Sequence, residues 1–225
     1  MRARAGLAAG VDWRLYFVTD TPLAGGPERV PALVEQAVLG GAGVVQVRDK
    51  ELDDAAYRSL CEACVTANER AFDACGRRAA LVVNDRLDVA ADLGLHFHQG
   101  QSDGDVATAR SRLGADLLIG LSISNTTQLE SELADPTADV LGLSPVWATP
   151  TKTDTDPPLG LDGVRALVRR IDGAAAAVAI GGISLGNARD VIATGVDGIC
   201  VVSAIVSASD PRAASRALLD TWSIR

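Results

Sequence analysis

Eight short apolar runs recur along the chain, at residues 16–19, 44–48, 81–84, 95–98, 117–122, 140–144, 177–180 and 199–203. Each is too short for a typical helix, rich in branched side chains and close to glycine. Such runs read as strands buried on both faces. Between most of them lie stretches of helical character, at 28–39, 53–75, 126–133, 162–171 and 211–222, with room for a short helix at 86–93. In 28–39, Val30, Leu33, Val34, Ala37 and Val38 fall on one stripe. Asn125 stands where an N-cap belongs, just ahead of 126–133. Strands alternating with helices call for a parallel sheet, and eight of them predict a single (β/α)8 TIM barrel spanning 1–225. The alternative, an open doubly wound sheet, wants a Gly-rich turn after the first strand. Thr19-Asp20-Thr21-Pro22-Leu23 is not one.

Composition agrees with that architecture and narrows the function. Hydrophobic residues make up 48% and aromatics only 4%, so the core must be built from small and branched side chains. A net charge of −8 argues against binding a phosphate backbone, which excludes nucleic acid as a partner. No apolar run approaches the ~20 residues that span a bilayer, so no membrane partner is expected. Residues 1–10 resemble the start of a signal peptide, but their apolar part is short and runs into Asp12 and Arg14. Residues 1–12 are therefore read as a flexible leader and the protein as cytoplasmic, with a homo-oligomer left open. The four cysteines are Cys61, Cys64, Cys75 and Cys200. The C-x-x-C pair lies in a helical stretch with no second pair or nearby histidine to complete four zinc ligands, so structural thiols are expected.

A barrel of this kind carries its active site at the C-terminal ends of the strands. Just after the predicted strands stand Thr19-Asp20, then Gln46, Arg48 and Lys50, then Asn84-Asp85, then His98 to Asp103, then Ser122. The sixth strand ends in Ser144 and opens the polar stretch 149–158, TPTKTDTDPP, which holds Thr149, Thr151 and Lys152. The seventh ends in Gly181-Gly182 and the eighth in Val202-Ser203. Arg48, Lys50 and Lys152 are cations suited to phosphate. Asp85 and Asp103 are hard oxygen donors of the kind that hold Mg²⁺ together with substrate phosphates. A metal and three cations in one cavity suit a diphosphate. Gly181-Gly182 and Ser203 can present backbone N–H groups to a second anion. The bland alternatives are solvated surface charges, helix caps at Asp85 and Asp103, and a tight turn at the glycines. His96 and His98 share a strand face but lack a third nitrogen ligand, so packing or a hydrogen bond to a neighbour is expected of them. No nucleophile or general base stands out, and the concentration of these residue types at strand ends of one polarity favours the anion site.

Taken in order, Gln46-Val-Arg-Asp-Lys50, Asn84-Asp-Arg-Leu-Asp-Val-Ala90, His98-Gln-Gly-Gln-Ser-Asp103, Ile119-Gly-Leu-Ser122, Thr149-Pro-Thr-Lys152, Ala179-Ile-Gly-Gly-Ile183 and Val201-Val-Ser-Ala-Ile205 resemble the thiamine phosphate synthase family. The resemblance runs from Tyr16 to the final helix. It implies that Gln46, Arg48, Lys50, Asn84, Ser122 and Lys152 bind hydroxymethylpyrimidine diphosphate. It implies that Asp85 and Asp103 hold Mg²⁺, and that Thr149, Thr151, Gly182, Val202 and Ser203 bind thiazole phosphate. The implied catalytic residues are Arg48, Lys50, Lys152 and Ser122. The implied reaction is loss of diphosphate to give a carbocation, captured by the thiazole nitrogen, which accounts for the missing base.

Two departures stand out. Ser124 occupies a position where the family usually has histidine. The segment between Asn84 and His98 is one residue short. Matching His98 to the family histidine makes Asp103 the second metal ligand, whereas matching His96 would put Gly100 or Gln101 there. The competing functions are the related thiazole tautomerase, which needs no full set of cations and metal, and a non-catalytic phosphate-binding barrel, which predicts a degraded site.

Overall fold

A computed structural model describes residues 7–148 and 157–223. Eight strands, β1 (Leu15–Val18), β2 (Val44–Val47), β3 (Ala80–Asn84), β4 (His96–Gln99), β5 (Ile119–Ile123), β6 (Val140–Leu143), β7 (Ala176–Ile180) and β8 (Gly198–Val201), pair in sequence order to form a closed barrel. Every pairing is parallel, and β8 closes onto β1 through Tyr16↔Cys200. The expected TIM barrel is therefore what forms.

The helices are α1 (Thr21–Ala24), α2 (Val30–Leu39), α3 (Asp54–Cys75), α4 (Leu87–Leu93), α5 (Val106–Leu113), α6 (Thr126–Ala134), α7 (Gly160–Ile171), α8 (Ala188–Ile192), α9 (Ser203–Val206) and α10 (Pro211–Asp220). Asn125 does cap α6, its side chain accepting from Gln128 N at 3.0 Å. Helix α5 lies outside the helical stretches read from the sequence. Its sequence VATARSRL carries little apolar periodicity, and it starts because Asp105 accepts from Thr108 N at 3.0 Å.

Two apolar layers result from the strand period of two. Tyr16, Val18, Val44, Val82, Val140, Val178 and Cys200 fill the barrel interior. Their strand neighbours Leu15, Phe17, Val45, Val83, Leu141, Ala177, Ala179, Ile199 and Val201 face the helices. The scarcity of aromatics fits an interior this narrow. Of the expected leader, residues 1–6 lie outside the described residues. Leu7–Gly10 forms a 3-10 turn against the barrel, with Trp13 Nε1 donating to Ala8 O at 2.9 Å. No described helix is long and apolar enough to cross a membrane.

Candidate active site

A cavity of about 170 Å³ opens among the C-terminal ends of the strands. Strand β2 sends Gln46 into it, and the chain after β2 sends Arg48 and Lys50. Gln46 is almost wholly buried and its Nε2 donates to Tyr16 OH at 2.8 Å. Burial pushes the Tyr16 phenol far up, so it stays a neutral hydroxyl. Thr19 Oγ1 accepts from Arg48 N at 2.9 Å, pinning the arginine to the end of β1. Between Arg48 and Lys50, Asp49 turns away into the wall. Burial alone would raise its carboxyl, but hydrogen bonds from Leu52 N and Glu51 N outweigh that and hold it below the usual range. Asp49 thus fixes the turn that leaves both cations at the cavity.

Each cation already has a carboxylate. Arg48 Nη1 lies 3.3 Å from Asp20 Oδ2, and Lys50 Nζ pairs with Asp85 Oδ2. Asp85 Oδ2 also accepts from Asn84 Nδ2 at 2.6 Å. Asp85 sits at φ 60, a left-handed backbone that aspartate tolerates better than most residues, and its N–H donates to His98 O at 2.9 Å. On β4 and β5, His98 Nε2 and Ser122 Oγ lie 3.0 Å apart. Gly120 makes room for that imidazole, since a Cβ there would fall 2.2 Å from His98 Nδ1. Asp103 Oδ2 accepts from Gly100 N at 2.9 Å. Neither carboxylate is a helix cap, because α4 has no side-chain cap and α5 is capped by Asp105.

The opposite wall is Ser144 and cis Pro145 after β6, Gly181 and Gly182 after β7, and Val202 and Ser203 after β8. Asn187 Nδ2 donates to Gly182 O at 2.9 Å and braces that turn. Gln46, Arg48, Lys50, Asn84, Asp85, Asp103, Ser122, Gly182, Val202 and Ser203 all line this one cavity. Thr149, Thr151 and Lys152 lie outside the described residues, as does most of 149–158.

Tyr16, Ile180 and Cys200 also line the cavity and were not singled out as site residues. The signal that finds them is the inward alternation of β1, β7 and β8, on which they share faces with Val18, Val178 and Val202. Cys61 and Cys64 are fully buried in α3, and burial pushes the Cys61 thiol up to about 12. Among the described residues no group of three or more His, Cys, Asp or Glu is placed to hold a metal alone. Asp85 and Asp103 offer two hard oxygen donors beside two cations, a set suited to a cation whose remaining ligands come from a bound phosphate.

A family model described as thiamine monophosphate synthase matches residues 15–205. A thiamine-phosphate synthase from Chloroflexus aurantiacus is 44% identical over 92% of each chain. A thiamine biosynthesis multifunctional protein from Corynebacterium efficiens is 48% identical over 94% of this chain, and one from Corynebacterium glutamicum is 45% identical over 92% of it. The chain spans only 29% and 27% of the length of those two proteins. Among solved structures, a thiamine phosphate pyrophosphorylase from Pyrococcus furiosus superposes with a TM-score of 0.80 at 29% identity, covering 93% of this chain and 95% of that one.

Proposed function

The chain belongs to the thiamine monophosphate synthase family, and from that membership we propose that it is a transferase of thiamine biosynthesis. Its substrates are 4-amino-2-methyl-5-(diphosphooxymethyl)pyrimidine and a thiazole phosphate, either 4-methyl-5-(2-phosphoethyl)thiazole or its carboxylated form. Its products are thiamine phosphate and diphosphate, with carbon dioxide also released when the carboxylated form is used. The observation that carries this reading is the gathering of Arg48, Lys50, Asp85 and Asp103 on one cavity whose only described imidazole, His98, faces Ser122. Such a set can neutralise a polyanion.

The chemistry follows from the charges. The bond between the pyrimidine methylene carbon and the diphosphate oxygen breaks, and its electron pair leaves with the diphosphate. The aminopyrimidine ring delocalises the positive charge left on the methylene. The thiazole nitrogen then donates its lone pair to that carbon, so no proton need be removed. Arg48 and Lys50 stabilise the leaving group, with Lys152 assigned the same role. Arg48 exchanges Asp20, and Lys50 exchanges Asp85, for phosphate oxygens. Freed of Lys50, Asp85 would hold Mg²⁺ together with Asp103, and the ion would add charge neutralisation at the diphosphate. Gln46 and Asn84 face the pyrimidine, Ser122 donates to the diphosphate, and Gly182, Val202, Ser203, Thr149 and Thr151 hold the thiazole phosphate.

The test is direct. Both substrates incubated with the protein and Mg²⁺ give thiamine phosphate, and chelating the metal stops its formation. A folded protein that yields no thiamine phosphate overturns the reading.

A further inference from the structure

Strands β2 and β3 carry the segments that face the diphosphate end of the cavity, and a side chain joins the last rung of their hydrogen-bond ladder. The register runs from Val44↔Ala80 to Val47↔Val83, and Ala80 N donates to Gly43 O at 2.9 Å. Parallel rungs of one set recur every two residues. The same set therefore requires a final bond from Asn84 N to Val47 O. Helix α3 adds a side chain to that rung. Asn84 N donates to Tyr57 OH at 3.1 Å, and Tyr57 OH donates to Val47 O at 2.6 Å, with Asn84 O at 3.5 Å. At the same level Thr19 N donates to Gln46 O, and Asp85 N to His98 O, both at 2.9 Å.

The Tyr57 hydroxyl bonds both sides of the gap between Val47 and Asn84. Arg48 and Lys50 leave from one side of that gap, and Asn84 and Asp85 from the other. The ring that carries the hydroxyl is itself clamped. It is fully buried, and the Arg86 guanidinium lies over its face at 4.5 Å. Arg86 is tied in turn to Asp54 Oδ1 at 2.6 Å and to Leu52 O. Burying a phenol does not by itself require its hydroxyl to bond two strand ends at once.

We propose that Tyr57 is a positioning residue, whose hydroxyl sets the spacing between the cationic segment after β2 and the Asn84–Asp85 segment after β3. This rests on the functional reading above. The spacing matters because one diphosphate must be met from both sides at once, and a displacement of ~1 Å in such a site can cost on the order of a hundredfold. The thiazole phosphate subsite, on the β6 to β8 side, does not depend on this gap.

The experiment compares wild type, Tyr57→Phe and Arg86→Met by calorimetric titration with inorganic diphosphate plus Mg²⁺, and separately with thiazole phosphate. Thermal unfolding is followed in parallel. Tyr57→Phe keeps the ring and removes the hydroxyl that bonds both strand ends, so diphosphate binding falls roughly tenfold or more while thiazole phosphate binding holds. Arg86→Met, which keeps the hydroxyl but unclamps the ring, shows a smaller loss in the same direction. It carries the test if Tyr57→Phe does not fold. Diphosphate binding unchanged in both variants overturns the inference and leaves the functional reading intact. So does an equal weakening of both ligands, which marks a purely structural brace. Wild type that binds no diphosphate overturns the functional reading and this inference with it.

Discussion

Asp85 combines two demands on one residue. Its carboxylate must face Lys50 and Asn84, and its backbone must adopt φ 60 to aim it there. Asparagine tolerates that backbone and keeps an acceptor for Asn84 Nδ2, whereas alanine does not. Asp85→Asn should therefore unfold at nearly the wild-type denaturant midpoint yet lose about a hundredfold or more in Mg²⁺-dependent turnover. Asp85→Ala should lose the same activity and in addition about 1 kcal/mol of stability. Turnover retained in Asp85→Asn would remove Asp85 from the metal site. Equal stability of the two variants would show that the backbone imposes nothing on this position. At this scale the sequence tells only which residue types arrive at the mouth. That Lys50 pairs with Asp85 and Arg48 with Asp20 depends on loop geometry 28 to 35 residues apart in sequence, which no local pattern encodes. Tyr57 was equally hidden, since it reads as one more apolar residue on a long helix.

The elements were far more legible. A strand covered by helices on one face and by the barrel interior on the other is apolar along most of its length, so most of the strands leave a clear apolar run. The run at 81–84 became Ala80–Asn84, and 177–180 became Ala176–Ile180. The run at 117–122 was placed early, because Leu117 and Leu118 continue the apolar stretch before pairing begins at Ile119. Helix α5 was missed for the opposite reason: at the barrel's rim it buries only Ala109 and Leu113. Connections carry constraints of their own. Gly181, at φ 113, lets the turn after β7 press against the end of β6. A Cβ there would lie 2.8 Å from Pro145 Cβ and 2.9 Å from Val146 N, which itself donates to Ile180 O at 2.9 Å. Gly181→Ala must strain the turn and break that junction, costing on the order of 3 kcal/mol by urea denaturation. A variant as stable as wild type would mean the two loops are not held together as described.

Across the whole molecule the barrel separates stability from chemistry, and β4 shows both ends on one strand. His98, at its C-terminal end, lines the cavity. His96, two residues earlier, sits at the opposite end of the barrel, where its Nδ1 accepts from Leu118 N at 3.1 Å. Burial lowers the His96 pKa, and the charge of Asp139, which is itself paired with Arg110 at 2.6 Å, only partly opposes this. The unfolded chain takes up a proton at His96 near the ordinary value of about 6.5, while the folded chain resists until lower pH. In the window between those two values the unfolded state binds more protons, so stability falls as pH drops. The overall charge of −8 acts the other way, because acidification relieves self-repulsion. A variant separates the two effects. His96→Asn keeps an acceptor for Leu118 N and does not titrate, and it leaves the global charge at neutral pH unchanged. Between pH 7.5 and pH 5.5 the wild-type Tm should therefore fall more, or rise less, than that of His96→Asn, while turnover at pH 7.5 is the same in both. Parallel Tm profiles would assign the acid response to other groups. A loss of turnover in His96→Asn would show that the N-terminal end of the barrel is not insulated from the site above it.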